Sequence, residues 1–172
     1  VFGRDPRELG LHQVYDVTHN TAKLETHLPP GERRPRQLLV HRKGATRALP
    51  AGSEGLPPAL RATGQPVIIG GSMQTGSYLL VGSPGAEAAF FTTAHGSGRA
   101  MGRHEARKRF HGRDLEKEMH ERGIYVRAAS VSSLAEEAGA AYKDIDQVAE
   151  AAELAGLSRR VVKLVPVGNI KG

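Results

Sequence analysis

The sequence contains no cysteine and no tryptophan, and only four tyrosines and four phenylalanines occur among its 172 residues. The lack of cysteine excludes disulfides and thiolate metal ligands within these residues. The scarcity of aromatic rings argues against a broad surface for stacking nucleic-acid bases. No apolar run approaches transmembrane length, and no basic segment followed by an apolar one resembles a leader peptide. These absences predict no membrane association and are compatible with a cytoplasmic location.

Positive charge is in excess, and it is distributed unevenly along the chain. The formal net charge is +6. Residues 33–113 carry 13 basic and 3 acidic side chains, whereas residues 114–157 carry 4 basic and 10 acidic ones. A concentrated basic region is typical of polyanion binding, although solvated arginine surfaces produce the same pattern. The sequence therefore indicates a basic middle region followed by an acidic, helical one.

The most informative stretch is residues 92–103, which read TTAHGSGRAMGR. Gly96 and Gly98 flank Ser97 directly after His95, so the backbone can approach a ligand closely and its N–H groups can converge on an anion. The pattern from Gly102 onward predicts a helix, which would place Arg99 and Arg103 one turn apart near its N-terminus. This arrangement favours a phosphate group beside an imidazole, although a histidine between glycines is also typical of a simple turn.

The same stretch resembles the guanylylated-histidine motif of the RtcB family of RNA-splicing ligases. That motif runs close to His-Gly-Ala-Gly-Arg and then Met-Ser-Arg, and here it reads HGSGR over 95–99 and MGR over 101–103. Further blocks match in the same order: VYDVTHN (14–20), HRKGATR (41–47), GQPVII (64–69), GSM (71–73), AYKD (141–144) and the terminal IKG (170–172). Family members are more than twice as long, so we expect residues 1–172 to be the C-terminal part of a single RtcB-like catalytic domain.

The resemblance implies roles for individual residues. His95 is expected to be the catalytic nucleophile and His19 a manganese ligand, with the remaining metal ligands in a part of the family's chain upstream of Val1. The nucleotide-binding residues implied are Asn20, Ser72, Ser77, His95, Gly96, Ser97, Gly98, Tyr142 and Lys171. Contacts with RNA or its terminal phosphate are expected from Lys43, Arg47, Arg99 and Arg103. Read without the resemblance, His19 is as typical of a hydrogen-bonded core residue and Tyr142 of a packing residue.

The chain departs from the family pattern at three positions near these residues. Gly70 stands where the family usually has proline, Gln74 adds bulk to a glycine-containing turn, and Ala94 replaces a residue that is often cysteine. The first two departures bear on the shape of a guanine pocket. The third should leave the chemistry intact, because the attacking atom belongs to His95.

Periodicity and turn residues predict a mixed α+β fold, with short, mainly antiparallel strands packed against two or three helices. Strands are predicted at 37–41, 66–69, 78–81, 124–128 and 159–165. Helices are predicted within 11–27, over 102–122 with Gly123 as its C-cap, after a cap at Ser132 or Ser133, and over 138–154 with a break at Gly139. Residues 50–65 are predicted to form an irregular connection.

Three functions follow as hypotheses. The first is a GTP- and Mn²⁺-dependent RNA ligase that joins RNA 3′-phosphate or 2′,3′-cyclic phosphate ends to 5′-hydroxyl ends through a histidine–GMP intermediate, in tRNA splicing or RNA repair. Its implied partners are RNA, GTP and an archease-type activating protein. The second is a catalytically inactive or divergent RNA-binding fragment. The third is a metal-dependent phosphate-ester hydrolase that uses water as the nucleophile.

Overall fold

The computed structural model describes Gly3 and residues 5–171, so Gly172 of the terminal IKG block lies outside the described residues. The nine strands of this part are β1 (Asn20–His27), β2 (Arg36–Lys43), β3 (Ala45–Arg47), β4 (Pro66–Gly70), β5 (Ser77–Gly82), β6 (Thr92–Ala94), β7 (Tyr125–Ala128), β8 (Ser158–Leu164) and β9 (Gly168–Lys171). Its four α-helices are α1 (Arg103–Arg109), α2 (Gly112–Glu121), α3 (Val131–Glu136) and α4 (Ile145–Leu154). Short 3₁₀ helices lie between them. The mixture confirms the predicted α+β class.

The strands form four small sheets. β1 and β2 make an antiparallel hairpin, β3 pairs antiparallel with β6, and β4, β5 and β8 form a three-stranded antiparallel sheet. The fourth sheet pairs β7 with β9 in parallel, and β9 was not predicted from the sequence. The predicted predominance of antiparallel pairing is confirmed.

Two apolar cores lie on either side of the His95 segment. One packs the three-stranded sheet against α4, with Val67, Ile69 and Leu80 facing Ile145 and Ala152. The other packs α2 and α3 against β7; its buried members are Met73, Leu115, Met119, Ile124, Val126, Leu134 and Ala138. The connection from β6 to α1, which carries His95, runs between them.

The prediction of a helix within 11–27 is wrong. Residues 20–27 form β1, and residues 11–18 have no regular structure. The apolar residues that suggested a helix do not share a buried face, since Val14 is 80% exposed and Leu24 is 65% exposed. Pairing with β2 along the whole of β1 satisfies the backbone groups instead.

The single helix predicted over 102–122 is divided into α1 and α2, which raises the helix count above the expected two or three. Phe110 and His111 between them are extended. Gly112 begins α2 close to the start of α3, where a Cβ atom would lie 2.0 Å from the carbonyl oxygen of Val131. A side chain at this position would therefore clash with α3. Gly123 follows the end of α2 with φ of +74°, the left-handed conformation that a helix-terminating glycine adopts, as predicted.

The segment predicted as a helix over 138–154 begins later than expected. Only a 3₁₀ turn forms at Gly139–Ala141, and α4 starts after Asp144, whose carboxylate accepts hydrogen bonds from the amides of Asp146 and Gln147. The cap of α3 is Ser130, which accepts from the Ser133 amide, and neither Ser132 nor Ser133.

Candidate active site

His95 follows β6 directly, at the edge where β6 pairs with β3. Ala94 lies opposite Ala45 in that pairing, so His95 projects beyond the strand end next to Gly44. A Cβ atom on Gly44 would lie 3.5 Å from His95 Nε2, and Gly44 has φ of +66°. A glycine between β2 and β3 therefore both permits the turn and leaves room beside the imidazole.

Main-chain hydrogen bonds hold the glycine-rich loop on both flanks. The amide of Gly70 donates to the carbonyl oxygen of His95 at 3.0 Å, and the amide of Ser97 donates to the carbonyl oxygen of Gly70 at 2.7 Å. On the other flank, Lys143 donates from its amide to Gly98 at 3.0 Å. The Ser97 amide is thus hydrogen-bonded within the protein. Of the loop amides predicted to converge on an anion, those of Gly96 and Gly98 remain for that role.

His19 stacks on His95. The ring centroids are 4.3 Å apart and the planes are inclined by 20°. His19 reaches this position because its carbonyl oxygen accepts a 2.9 Å hydrogen bond from the Gly44 amide at the open end of the β1–β2 hairpin. Asn20 lies opposite Lys43 at the same end. The structure therefore brings together four residues that the sequence predicts to be functional: His19, Asn20, Lys43 and His95.

The electrostatics around His95 favour its neutral form. Partial burial is the main reason that the pKa of His95 lies below its ordinary value, and the neighbouring His19 lowers that pKa further. A neutral imidazole has a lone pair available on one ring nitrogen. His95 is therefore in the protonation state that nucleophilic attack requires at neutral pH.

Tyr142 and Lys171, both predicted to contact a nucleotide, meet on a residue that the sequence analysis did not identify. The Tyr142 hydroxyl donates to Glu137 Oε2 at 2.8 Å, and Lys171 Nζ lies 3.3 Å from the same oxygen. Burial pushes the pKa of Glu137 upward, but the hydrogen bond from Tyr142 and the charge of Lys171 outweigh burial, so the pKa is lowered. Burial and the hydrogen bond to Glu137 raise the pKa of Tyr142. The parallel pairing of β9 with β7, which the sequence did not predict, places Lys171 here.

Arg99 is bound within the protein. Its guanidinium donates to the Tyr142 hydroxyl at 2.9 Å, to the Glu136 carbonyl oxygen at 2.6 Å and to the Met101 carbonyl oxygen at 3.0 Å. It also stacks over the Tyr142 ring, with Cζ 4.7 Å from the centroid. Arg99 precedes α1 and is not on a helix, so the predicted one-turn pairing with Arg103 is wrong. Its contact with phosphate stays a prediction, and its observed contacts orient Tyr142.

The other predicted phosphate ligands lie at different places. Arg103, at the start of α1, is largely exposed and lies 3.6 Å from the carboxylate of Glu136. Arg47 lies at the far end of β3, opposite Thr92, and donates to the Gln65 side chain at 3.3 Å. Three residues of strand separate Thr92 from His95, which is about 10 Å. Arg47 therefore lies away from His95, and its contact with RNA stays a prediction.

Ser72 and Ser77 lie at the Gly70 end of the β4–β5 hairpin, beside the His95 loop. The Ser72 hydroxyl closes the turn by accepting hydrogen bonds from the amides of Gln74 and Thr75, both at 3.2 Å. The Gln74 side chain bridges outward, accepting from the Gly139 amide and donating to Glu118 at 2.9 Å. The extra bulk of Gln74 is thus accommodated by binding the turn to the start of the Gly139–Ala141 segment.

A wide cavity of about 760 Å³ opens beside this turn. Tyr142 and Gln74 line it together with three cations, Arg122, Lys143 and Lys163. Its size is that of small-molecule sites in general. The lining also includes Asp144 and Asp146, and Asp146 pairs with Lys163 at 2.6 Å, so the cavity carries charge of both signs.

Within Gly3 and residues 5–171, no group of three or more histidine, aspartate or glutamate side chains is placed to hold a metal ion. His19 is exposed, and no hydrogen bond to its ring is found in this part of the chain. Its imidazole is therefore suited to be one ligand of a metal whose other ligands come from outside the described residues.

Comparison with known proteins defines the class first. The family model described as tRNA-splicing ligase RtcB matches residues 1–172. A protein of Mycobacterium bovis named RNA-splicing ligase RtcB is 49% identical over 162 residues, covering 94% of this chain and 37% of the relative. Two archaeal proteins named tRNA-splicing ligase RtcB match all of this chain: that of Pyrococcus abyssi is 46% identical, with 19% of its length covered, and that of Aeropyrum pernix is 44% identical, with 35% covered.

The chain belongs to the RtcB family. It spans between about a fifth and somewhat more than a third of the length of these relatives, and it matches their C-terminal part. The resemblance inferred from the ordered sequence blocks is thereby confirmed. No helix in the part of the chain that the structure describes is long and apolar enough to cross a membrane.

Proposed function

We propose that the chain is the histidine-bearing part of an RNA ligase that uses GTP and Mn²⁺ to join RNA 3′-phosphate or 2′,3′-cyclic phosphate ends to 5′-hydroxyl ends. The observation that carries the proposal is His95 itself: a half-buried imidazole with a lowered pKa, held between main-chain hydrogen bonds beside His19. The names of the relatives support RNA as the substrate. These names favour tRNA or RNA splicing as the process, and RNA repair is a second proposed process.

In the proposed first step, a ring nitrogen of His95 attacks the α-phosphorus of GTP. A P–N bond forms, the bond to the pyrophosphate oxygen breaks, and pyrophosphate leaves with the electron pair. The remaining ring N–H proton passes to solvent or a nearby base, which leaves an uncharged imidazole linked to the anionic guanylate. A divalent metal bound by His19 and ligands from outside this chain would neutralise charge on the phosphate oxygens.

In the two following steps, a 3′-phosphate oxygen of RNA displaces His95 from the guanylate. The 5′-hydroxyl of the other strand then attacks the activated 3′-phosphate, which forms the phosphodiester bond and releases GMP. Lys43, next to His19, and Arg103, at the start of α1, are proposed to contact these phosphates. Tyr142 and Lys171, held by Glu137, are proposed to contact the nucleotide, together with Asn20, Ser72 and Ser77.

We also propose a cytoplasmic location, which the lack of cysteine supports, and an archease-type protein as an activating partner. The part of the family's chain that supplies the other metal ligands is proposed to complete the site. Residues 1–172 are accordingly proposed to be one portion of a single catalytic domain.

The test is covalent labelling with α-labelled GTP and Mn²⁺, analysed by denaturing electrophoresis. It is carried out on this chain and on a longer polypeptide that includes the region which the relatives have before it. Acid-labile label on the longer polypeptide should disappear in His95→Ala and persist in His120→Ala, a matched change at an exposed histidine of α2.

Persistence of the label in His95→Ala would refute the assignment of the nucleophile. Two other outcomes favour the alternatives. Salt-sensitive RNA binding without label on either polypeptide would support an RNA-binding protein without catalysis. Release of inorganic phosphate from RNA ends without joining would support a hydrolase.

A further inference from the structure

The exposed side of α1 and the first turn of α2 carries a dense group of cations. We call the exposed side chains of Arg103, Arg107, Lys108, Arg109 and Arg113 the α1 basic surface. Residues 102–113 contain one acidic side chain, Glu105, against these five cations. Such a density exceeds what solubility of a seven-residue helix requires.

Ion pairs within the protein neutralise only part of this charge. Glu136 lies 3.6 Å from Arg103 and 3.4 Å from Arg107, and Glu105 lies 3.5 Å from Arg109. Lys108 and Arg113 are exposed, and neither has an ion-pair partner among the residues that the structure describes. Their charge is therefore available to an external anion.

The surface continues directly from the candidate active site. The loop that begins at His95 leads through Arg99 into α1, and the extended segment 98–100 is fixed to residues 141–143 by backbone hydrogen bonds. Helix α1 is therefore the first regular element after His95, and Arg103 lies at its start. Helix α1 is about 10 Å long, so it can accompany more than the terminal phosphate.

The chemistry of the surface selects one class of partner. Ala106, the one apolar residue within α1, is fully buried. No apolar side chain of α1 is therefore available to insert into a lipid bilayer, which interfacial helices require. Beside two exposed imidazoles, His104 and His111, the segment presents five guanidinium or ammonium groups, a composition that favours contacts with a nucleic-acid backbone over its bases.

We propose that the α1 basic surface binds the phosphates of the RNA strand beyond the one that reacts at His95, with Lys108 and Arg113 as its principal contacts. The inference rests on the proposed function for its RNA substrate. It adds a binding surface to that function and does not require catalysis.

The experiment measures the affinity of this chain for a short single-stranded RNA with a 3′-phosphate as salt is raised from about 50 to 200 mM. Each phosphate contact in a single strand contributes about 0.7 to the slope of log affinity against log salt, so Lys108→Gln with Arg113→Gln should reduce the slope by about 1.4. Over this fourfold change in salt, the original chain should lose about sevenfold more affinity than the double variant.

Two controls accompany the measurement. Arg33→Gln with Arg34→Gln removes the same charge at the turn of the β1–β2 hairpin, which is about 25 Å along the strands from His19. Lys108→Arg with Arg113→Lys keeps the charge and reports on folding. Both controls should retain the original slope.

An equal loss of slope in the hairpin variant would overturn the proposal, because the effect would then reflect net charge alone. An unchanged slope in the Lys108 and Arg113 variant would also overturn it. The same variant is tested for binding to anionic phospholipid vesicles, and a loss of vesicle binding with RNA binding unaffected would overturn the proposal as well. Failure of covalent labelling with GTP would leave this result intact, so the two proposals fail separately.

Discussion

A buried ion pair in the β1–β2 hairpin provides the sharpest test of the physical reasoning. Arg42 is 3% exposed, and its guanidinium donates two hydrogen bonds to the Glu25 carboxylate at 2.7 and 2.8 Å. The same guanidinium donates to Thr92 Oγ1 at 3.0 Å and to the carbonyl oxygen of Phe90 at 2.8 Å. Arg42 therefore joins the hairpin to β6, three residues before His95.

The perturbation is Glu25→Gln, which keeps the size of the side chain and removes its charge. Breaking one side of a buried ion pair leaves the other charge uncompensated, at a cost of about 3–5 kcal/mol in the free energy of unfolding. For a chain of this length, each kcal/mol lowers the midpoint of thermal unfolding by about 2–4 °C. We therefore expect a decrease of about 10 °C, measured by circular dichroism.

The matched control is Glu32→Gln, which breaks the exposed pair of Glu32 with Arg36 at 2.9 Å. Exposed pairs contribute about 1 kcal/mol or less, so this variant should unfold almost with the original protein. Equal midpoints of thermal unfolding for the Glu25 and Glu32 variants would refute the conclusion that Arg42 stabilises the protein through a buried ion pair with Glu25.

The contribution of the Glu25–Arg42 pair to stability should also depend on pH. Burial alone would raise the pKa of Glu25, but the hydrogen bonds from Arg42 and His27 together with their positive charge outweigh it, and the pKa lies below its ordinary value of 4.5. The stabilisation from this depressed pKa is complete above about pH 4.5 and is lost as the pH falls through the folded-state pKa. The difference in stability between the original chain and Glu25→Gln should therefore narrow below pH 4.5.

Three further predictions follow from other contacts. Ser97→Ala should increase the free energy of unfolding by about 1 kcal/mol in urea titration, because the Ser97 hydroxyl is buried without a hydrogen-bond partner in the described part of the chain, and a decrease would contradict this. Gly112→Ala should lower it by about 1–3 kcal/mol despite the better helix propensity of alanine, since its Cβ meets a carbonyl oxygen of α3, whereas Gly102→Ala, with open space, should be nearly neutral. Tyr142→Phe should raise the pKa of Glu137 in an NMR titration, because it removes a hydrogen bond that lowers that pKa; an unchanged value would show that the bond does not form in solution.

The sequence could predict the parts of the fold that depend on local patterns. Alternating or continuous apolar residues located β2, β4, β5 and β8, and glycine located the end of α2. The break between α1 and α2 was not predicted, because residues 102–122 contain no proline and their helical pattern continues through Phe110 and His111. β1 was missed because its backbone pairs with β2 while Leu24 stays exposed.

In the candidate site, too, the residues within local motifs were predicted and those that depend on long-range contacts were not. The ordered motifs brought His19, Asn20, Lys43 and His95 into one prediction, and the structure places them at one strand edge. Glu137 carries no motif, and its importance appears only when β9 folds beside β7 and delivers Lys171 to it. Long-range contacts of this kind have no local signal in a single sequence.

The loop that carries His95 is fixed almost entirely by its main chain, through the bonds at Gly70, Gly98 and Ala141. Hydrogen bonds of this kind depend little on which side chain a residue bears, except that proline has no N–H, so a proline at position 70 could not make the bond that the Gly70 amide donates to His95. Neighbouring side chains can therefore be replaced while the His95 imidazole keeps its position. Ala94 and Gln74, two of the departures from the family pattern, leave the main-chain bonds at Gly70, Gly98 and Ala141 in place.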